Sequence, residues 1–220
     1  MPSLTVENYV KTIYQICTNS GGSSASTGKI SESLGVSPST VTSMLKTLSD
    51  SQLATYMPYE GVRLTDAGTA LALRMLRRHR LIELFLVHSL DMHWDEVHDE
   101  AENMEHAVSD QVVDRIEQFL GHPVVDPHGD PIPRADGSVA MPEGQSLASC
   151  KEGESFLLAR VLDQSSDFLR YLSQTGLSLG AQGRVESNRT EAGTVTVEVA
   201  GNQTTLGHAA AAKILVRAVR

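Results

Sequence analysis

Five of the eight histidines in this 220-residue chain, His79, His88, His93, His98 and His106, fall between positions 79 and 106. The same stretch is strongly acidic: residues 81–120 hold eleven Asp and Glu against a single base, Arg115. Imidazole suits transition metals, and carboxylate oxygens shift the choice toward harder ions such as Mn²⁺. Spacing strengthens the point. At roughly 100° per residue of helix, with His98 at zero, Glu102 falls near 40°, Glu105 near −20° and His106 near 80°. Val97, Ala101, Met104 and Val108 form an adjoining apolar stripe, so the four ligand-type residues border a core, where unpaired charge is costly. His79 and Glu83 make a second pair at i, i+4, one helix face apart by a single turn. Together the two helices would form a pocket for divalent cations. Mn²⁺ fits it best, Fe²⁺ is the alternative, and Zn²⁺ or Co²⁺ would bind in vitro. His88 and His93 lack such companions and read as structural. Asn8 could add an amide oxygen, although an Asn near a helix start also serves as a cap.

These residues need elements to position them. Thr5 to about residue 18 reads as a capped helix with apolar residues at i, i+3 and i+4. A Gly/Ser stretch ends it, Thr27–Leu34 forms a second helix, and Gly35-Val36-Ser37 turns the chain. Ser37-Pro38 opens a third helix with an N-cap and a proline at the first helical position. A small hairpin follows, Ala54–Met57 and Val62–Leu64, with Pro58 in its turn. A helix then runs from Thr65 to about His79, a further helical stretch, continuous with it or separate, covers about Arg80 to Ser89, and one long helix is expected between Asp91 and Phe119. Residues 121–146 are rich in Pro, Gly and Asp and read as a linker. Strands are expected at Ser155–Val161, Gln182–Ser187, Thr194–Val199 and near Ala212–Val219, with a helix around Asp167–Gln174. This tail suggests a compact barrel of the SH3 size class. The expected segments are 1–66, 67–121, a linker at 122–149, and 150–220. The fold class is mainly α with small β.

Short helix, glycine turn, second helix and hairpin is the order of a winged helix-turn-helix. The second helix of such a pair presents small polar residues to the major groove. Ser37, Ser39, Thr40, Thr42 and Ser43 meet that need. Lys29 and Lys46 can reach phosphates, and Arg63 sits where a wing would touch the neighbouring backbone. A solvated Ser/Thr face is the plainer alternative.

The net charge of −9 speaks against nucleic acid only as an average. Residues 1–80 carry eight bases against five acids, so a mildly basic segment precedes the acidic one. Such modest positive charge implies a dimer on a two-fold, palindromic site. No apolar run approaches the roughly 18–20 residues that span a bilayer, and no secretory leader is evident. Two cysteines, Cys17 and Cys150, make no disulfide framework, which points to the cytoplasm.

His79-Arg80-Leu81-Ile82-Glu83 followed by His98-Asp99-Glu100-Ala101-Glu102-Asn103-Met104-Glu105-His106 resembles the diphtheria toxin repressor family of metal-dependent transcriptional regulators. Glu7-Asn8-Tyr9-Val10-Lys11-Thr12-Ile13-Tyr14 is similar to that family's first helix, and Gly129-Asp130-Pro131-Ile132-Pro133 to its linker. The resemblance implies an N-terminal winged helix-turn-helix, a helical dimerisation domain and a C-terminal SH3-like (FeoA-like) β-barrel. It implies one metal site from His79, Glu83 and His98, completed by Gln164 and Asp167. A second would use Asn8, Glu102, Glu105 and His106. Iron-type members carry cysteine at 102 and methionine at 8, whereas manganese-type members carry glutamate at 102, as here, and usually aspartate at 8. Lys11 stands where some manganese regulators supply another glutamate, which argues against a binuclear site using position 11. The implied function is a homodimeric, Mn²⁺- or Fe²⁺-dependent repressor of metal-uptake genes, not an enzyme. The alternatives are a winged-helix regulator of a small organic ligand and a metalloenzyme using the Glu/His cluster, which lacks a separate nucleophile or base.

Overall fold

In a computed structural model, residues 3–140 and 143–219 are described; Met141 and Pro142 of the expected linker lie outside them. The chain divides into two compact units, residues 1–79 with 133–138, and residues 80–132 with 139–220.

In the first unit, α1 (Leu4–Asn19) is capped by Ser3, whose hydroxyl accepts from the Val6 amide, rather than by Thr5. A cap two residues earlier brings Leu4 and Thr5 into the first turn. Helix α2 (Thr27–Leu34) starts at Ser26 and stops at Gly35, which takes the left-handed φ of 63° that glycine tolerates. Helix α3 (Pro38–Asp50) has Ser37 accepting from the Thr40 amide and Pro38 in its first turn, as its sequence requires. Strands β1 (Ala54–Met57) and β2 (Gly61–Leu64) pair antiparallel, with Pro58 in the turn between them. An isolated bridge joins Val62 to Ala25, so the hairpin is tied to the segment before α2. Tyr9, Val10, Ile13, Ile30, Val41, Leu45, Leu48 and Val62 form the core of this head.

Helix α4 (Asp66–Leu90) is one unbroken helix of 25 residues. Thr65 fixes its start: its hydroxyl donates to Gln52 O at 2.7 Å and accepts from the Gly68 amide at 3.1 Å. Gly68 lies so close to the end of α3 that an added Cβ would sit 1.9 Å from Leu53 O.

In the second unit the single helix expected over 91–119 is two, α5 (Val97–Glu105) and α6 (Asp110–Phe119). The Ala107 and Val108 amides both return to Met104 O at 3.0 Å. Ser109 then caps α6 through the Val112 amide, so a serine that suits an N-cap wins over continued periodicity. Leu81, Ile82, Leu86, Val97, Ala101, Val113, Ile116 and Ile132 make the core between these helices.

The remainder is an antiparallel sheet in the order β3-β8-β4-β5-β6-β7. Its strands are β3 (Gln145–Ser146), β4 (Ser155–Val161), β5 (Gln182–Arg189), β6 (Thr194–Val199), β7 (Asn202–Gly207) and β8 (Ile214–Ala218). Helix α7 (Ser166–Gln174) follows β4, and α8 (His208–Ala211) follows β7. This is the small barrel expected from the sequence. Residues 121–132 have almost no regular structure, yet Asp126, His128 and Ile132 are buried. Gly129 passes so near β4 that a Cβ would meet Ala159 O at 2.1 Å, and Val161 donates to His128 O at 2.8 Å. Among the described residues no helix is long and apolar enough to cross a membrane.

The Gly68 contact is testable. Gly68→Ala should cost about 3 kcal/mol through forced displacement of backbone, read as a lower thermal midpoint. Gly28→Ala, where nothing lies within 4 Å, should be neutral or slightly stabilising.

Candidate metal centre and nucleic-acid interface

On α3 the apolar side, Val41, Leu45 and Leu48, is buried, which turns Ser39, Thr40, Ser43 and Lys46 outward. The predicted hydroxyls are not equivalent. Ser37 is engaged as the cap and lies 2.8 Å from both Ser39 Oγ and Thr40 Oγ1. Thr42 donates back to Pro38 O at 2.9 Å, so it offers a methyl and lone pairs outward. Ser43 and Lys46 are exposed further along the same helix. Lys29 is exposed on α2 and reaches Ser20 Oγ at 3.4 Å. On β2, Arg63 uses one Nη1–H on Gly22 O at 2.6 Å. Its other donors remain for a phosphate, since guanidinium carries five N–H groups.

The ligand-type residues converge as the helical spacing requires. Three sets have ligand atoms all within 4.8 Å of one another: His79, Glu83 and His98; His79, Glu102 and Glu105; and Glu83, Asp126 and His128. His79, Glu83 and Glu105 are buried, whereas His98 is half-exposed. His98 Nδ1 lies 3.4 Å from Glu83 Oε1, and its Nε2 lies 4.0 Å from Glu102 Oε1. His106 Nε2 is 3.4 Å from Glu105 Oε1. Asn8 is on α1, with its Oδ1 buried and no hydrogen bond to it.

Two predicted ligands lie elsewhere. Gln164 donates to Asp130 Oδ2 at 3.2 Å. Asp167, in the first turn of α7, is 98% exposed and pairs with Arg170 at 3.4 Å. Asp167 is in none of the converging sets. Asp126 and His128 were not singled out from the sequence. They belong to the Pro/Gly-rich stretch, whose lack of periodicity hid them; the only signal was a histidine between two aspartates, Asp126-Pro127-His128-Gly129-Asp130.

The Glu83–Asp126–His128 set is fully buried. His128 Nε2 lies 2.8 Å from the Trp94 carbonyl oxygen. A carbonyl can only accept, so Nε2 carries a proton and donates it there. Nδ1 faces Glu83 Oε2 at 3.9 Å and Asp126 Oδ1 at 4.0 Å, and it has no hydrogen bond. Two carboxyl groups and a ring nitrogen thus lie close together away from water. A divalent cation fits such an oxygen-rich set with one imidazole. Neighbouring Asp130 is satisfied differently, by Arg80 at 3.0 Å, by Arg160 and by Gln164. Asp126 has Arg80 only at 3.5 Å.

Residues 1–62 match the N-terminal DNA-binding domain of iron-dependent repressors, and residues 65–134 match their metal-binding and dimerisation domain. Residues 145–218 match the FeoA domain. A solved manganese-dependent transcriptional repressor in complex with manganese is 41% identical, covering 97% of this chain and all of that one, with a TM-score of 0.85. The manganese regulator SloR is 34% identical over 97% of this chain and 98% of that one, with a TM-score of 0.76. The iron-dependent repressor IdeR of Mycobacterium leprae is 29% identical, covering 98% of this chain and 97% of its own. The fold is that of a metal-dependent, DNA-binding transcriptional repressor, not an enzyme. The chain belongs to the diphtheria toxin repressor family.

Asp126 makes the electrostatics measurable. Burial first, then the Asp130 and Glu83 charges, hold its carboxyl well above the usual carboxylate range, against the pull of Arg80 and the Asp130 amide. Above an unfolded carboxyl pKa of about 3.9, the folded chain therefore keeps a proton that the unfolded chain has lost. Stability of metal-free protein should fall as pH rises from about 4 through the raised value. Denaturant titrations should show that fall in the wild type and a flatter profile in Asp126→Asn; equal profiles would remove Asp126 as the source.

Proposed function

We propose that this chain represses metal-uptake genes when Mn²⁺ is plentiful, acting in the cytoplasm as a homodimer on a palindromic operator. The carrying observation is the buried convergence of Glu83, Asp126 and His128 beside the His79, Glu102 and Glu105 set. In this reading one cation is held by Glu83, Asp126 and His128, with His79 and His98 bordering it. The other is held by Asn8, Glu102, Glu105 and His106, where the unpartnered Asn8 oxygen supplies a neutral donor. Gln164 and Asp167 would join only by leaving Asp130 and Arg170. Glu102 and the carboxylate-rich donor sets favour Mn²⁺; the similarity to IdeR along nearly the whole chain keeps Fe²⁺ as the second reading.

A bound divalent ion supplies positive charge that offsets the clustered carboxylates. The chain's own residues do the rest. Without a counter-charge Glu83, Glu102, Glu105 and Asp126 repel one another, and the helices that carry them sample more arrangements. With Asn8 and the α5 residues held together, α1 and the DNA-reading head occupy fewer orientations. Less ordering free energy then opposes operator binding. Ser39, Thr40, Thr42 and Ser43 face base edges, Ser37 sits at the helix start, and Lys29, Lys46 and Arg63 face phosphates. Because metal favours the DNA-competent state, DNA must tighten metal binding by the same factor.

The test uses a duplex selected from a random library by the Mn²⁺-loaded protein. Its affinity should rise about tenfold or more on adding Mn²⁺ to the wild type, within the usual range of such couplings. The gain should vanish in Glu105→Ala. Equal affinities in all four conditions would overturn the mechanism, and a larger gain with Fe²⁺ than Mn²⁺ would reassign the metal.

A further inference from the structure

Trp94, the chain's single tryptophan, lies in the short connection between α4 and α5, yet its ring is 8% exposed and sits in the core of the C-terminal barrel. Its indole Nε1 donates to Ser173 Oγ on α7 at 2.8 Å, and Ser173 in turn donates to Leu169 O at 3.1 Å. The next residue adds to the clasp. Asp95 O accepts from Ser166 Oγ at 2.9 Å, and the Asp95 carboxylate pairs with Arg170 at 3.1 Å. Trp94 thus holds α7 with one edge. Its ring face stacks on His128, with centroids 5.9 Å apart and planes 20° from parallel, and its carbonyl accepts the His128 Nε2 proton at 2.8 Å.

We propose that Trp94 is a positioning residue that couples a divalent cation at Glu83, Asp126 and His128 to the seating of α7 and its barrel on the helical segment. This rests on the reading of those three residues as ligands. The imidazole has two ring nitrogens and one orientation that serves both. Stacking and the carbonyl hold that orientation, so Nδ1 is aimed before any ion arrives. A bond at Nδ1 fixes the ring in return, and with it Trp94, Ser173 and α7. The coupling is reciprocal: whatever loosens the barrel weakens the cation, and the cation tightens the barrel. The arrangement also explains why an aromatic from a connecting loop is buried in a core to which the loop does not otherwise belong.

The test uses the full chain and Mn²⁺, followed by Trp94 emission, amide hydrogen exchange across residues 155–218, and calorimetry. In the wild type Mn²⁺ should change the emission saturably and slow exchange in the barrel strands. His128→Ala should abolish both responses while Mn²⁺ still binds at Glu102 and Glu105. Ser173→Ala leaves the tryptophan in place and removes only its acceptor. It should raise the Mn²⁺ midpoint read by emission about fivefold, the equivalent of one net hydrogen bond. A purely structural Trp94 predicts equal loss of barrel protection with and without Mn²⁺ in Ser173→Ala, and an unchanged midpoint; that result overturns the coupling. So does His128-dependent binding with a flat exchange profile. Absence of any Mn²⁺ binding by calorimetry overturns the proposed function as well, which separates the two failures.

Discussion

A carboxylate taken out of water needs a positive partner or a proton, and the middle of this chain buries Glu83, Glu105 and Asp126. Glu83 is 1% exposed and belongs to two of the converging ligand sets. Asp126 is the telling case because Asp130 stands beside it as an internal control. Asp130 collects Arg80, Arg160 and Gln164. Asp126 accepts the His128 and Asp130 amides at 2.8 and 2.9 Å through one oxygen, and its other oxygen lies 3.5 Å from Arg80. Asp130 closes a wider ion-pair network, while Asp126 also converges with Glu83 and His128.

Much of the surrounding architecture serves to hold that cluster in place. Helix α4 runs unbroken through His79 and Glu83, so their i, i+4 spacing becomes a fixed edge of the site. The opposite edge comes from an irregular segment that has no helix to stiffen it. It relies instead on close backbone approach at Gly129, on the Val161 to His128 hydrogen bond and on the Val125–Pro131 bridge. Ligand geometry that cannot be carried by periodic structure is carried by packing against β4.

This division decides what could be read from the sequence. His79, Glu83, His98, Glu102 and Glu105 lie on helices, where spacing alone predicts which side chains meet. The winged head was legible for the same reason, through Ser37, Pro38 and Gly35 at its helix ends. Asp126 and His128 were not, because their convergence depends on turns and on a partner strand far along the chain. Gln164 and Asp167 were placed by resemblance, and here Arg170 and Asp130 hold them elsewhere. The break between α5 and α6 turned on one serine competing with a helical pattern. Strand β7, Asn202–Gly207, escaped notice because it buries only Leu206 and so shows no alternation. Its pairing follows from the turn instead: Ala200 and Gly201 both have positive φ, 49° and 82°, which favours a two-residue hairpin.

The charge distribution bears on how such a molecule switches. The head carries a small excess of bases, and its reading helix presents mostly neutral hydroxyls, so few phosphates are neutralised per subunit and operator affinity starts low. A weak interaction can be turned on by a modest coupling; a strong one could not be turned off by it. The proposed donor sets are suited to that scale. Glu83 with Asp126 carries two formal negative charges, as does Glu102 with Glu105 once position 8 is the neutral Asn8 rather than an acid. One divalent ion would match the formal charge of either set. What the cation controls is then less the acidic segment's charge as a whole than the two points where that charge has been drawn indoors.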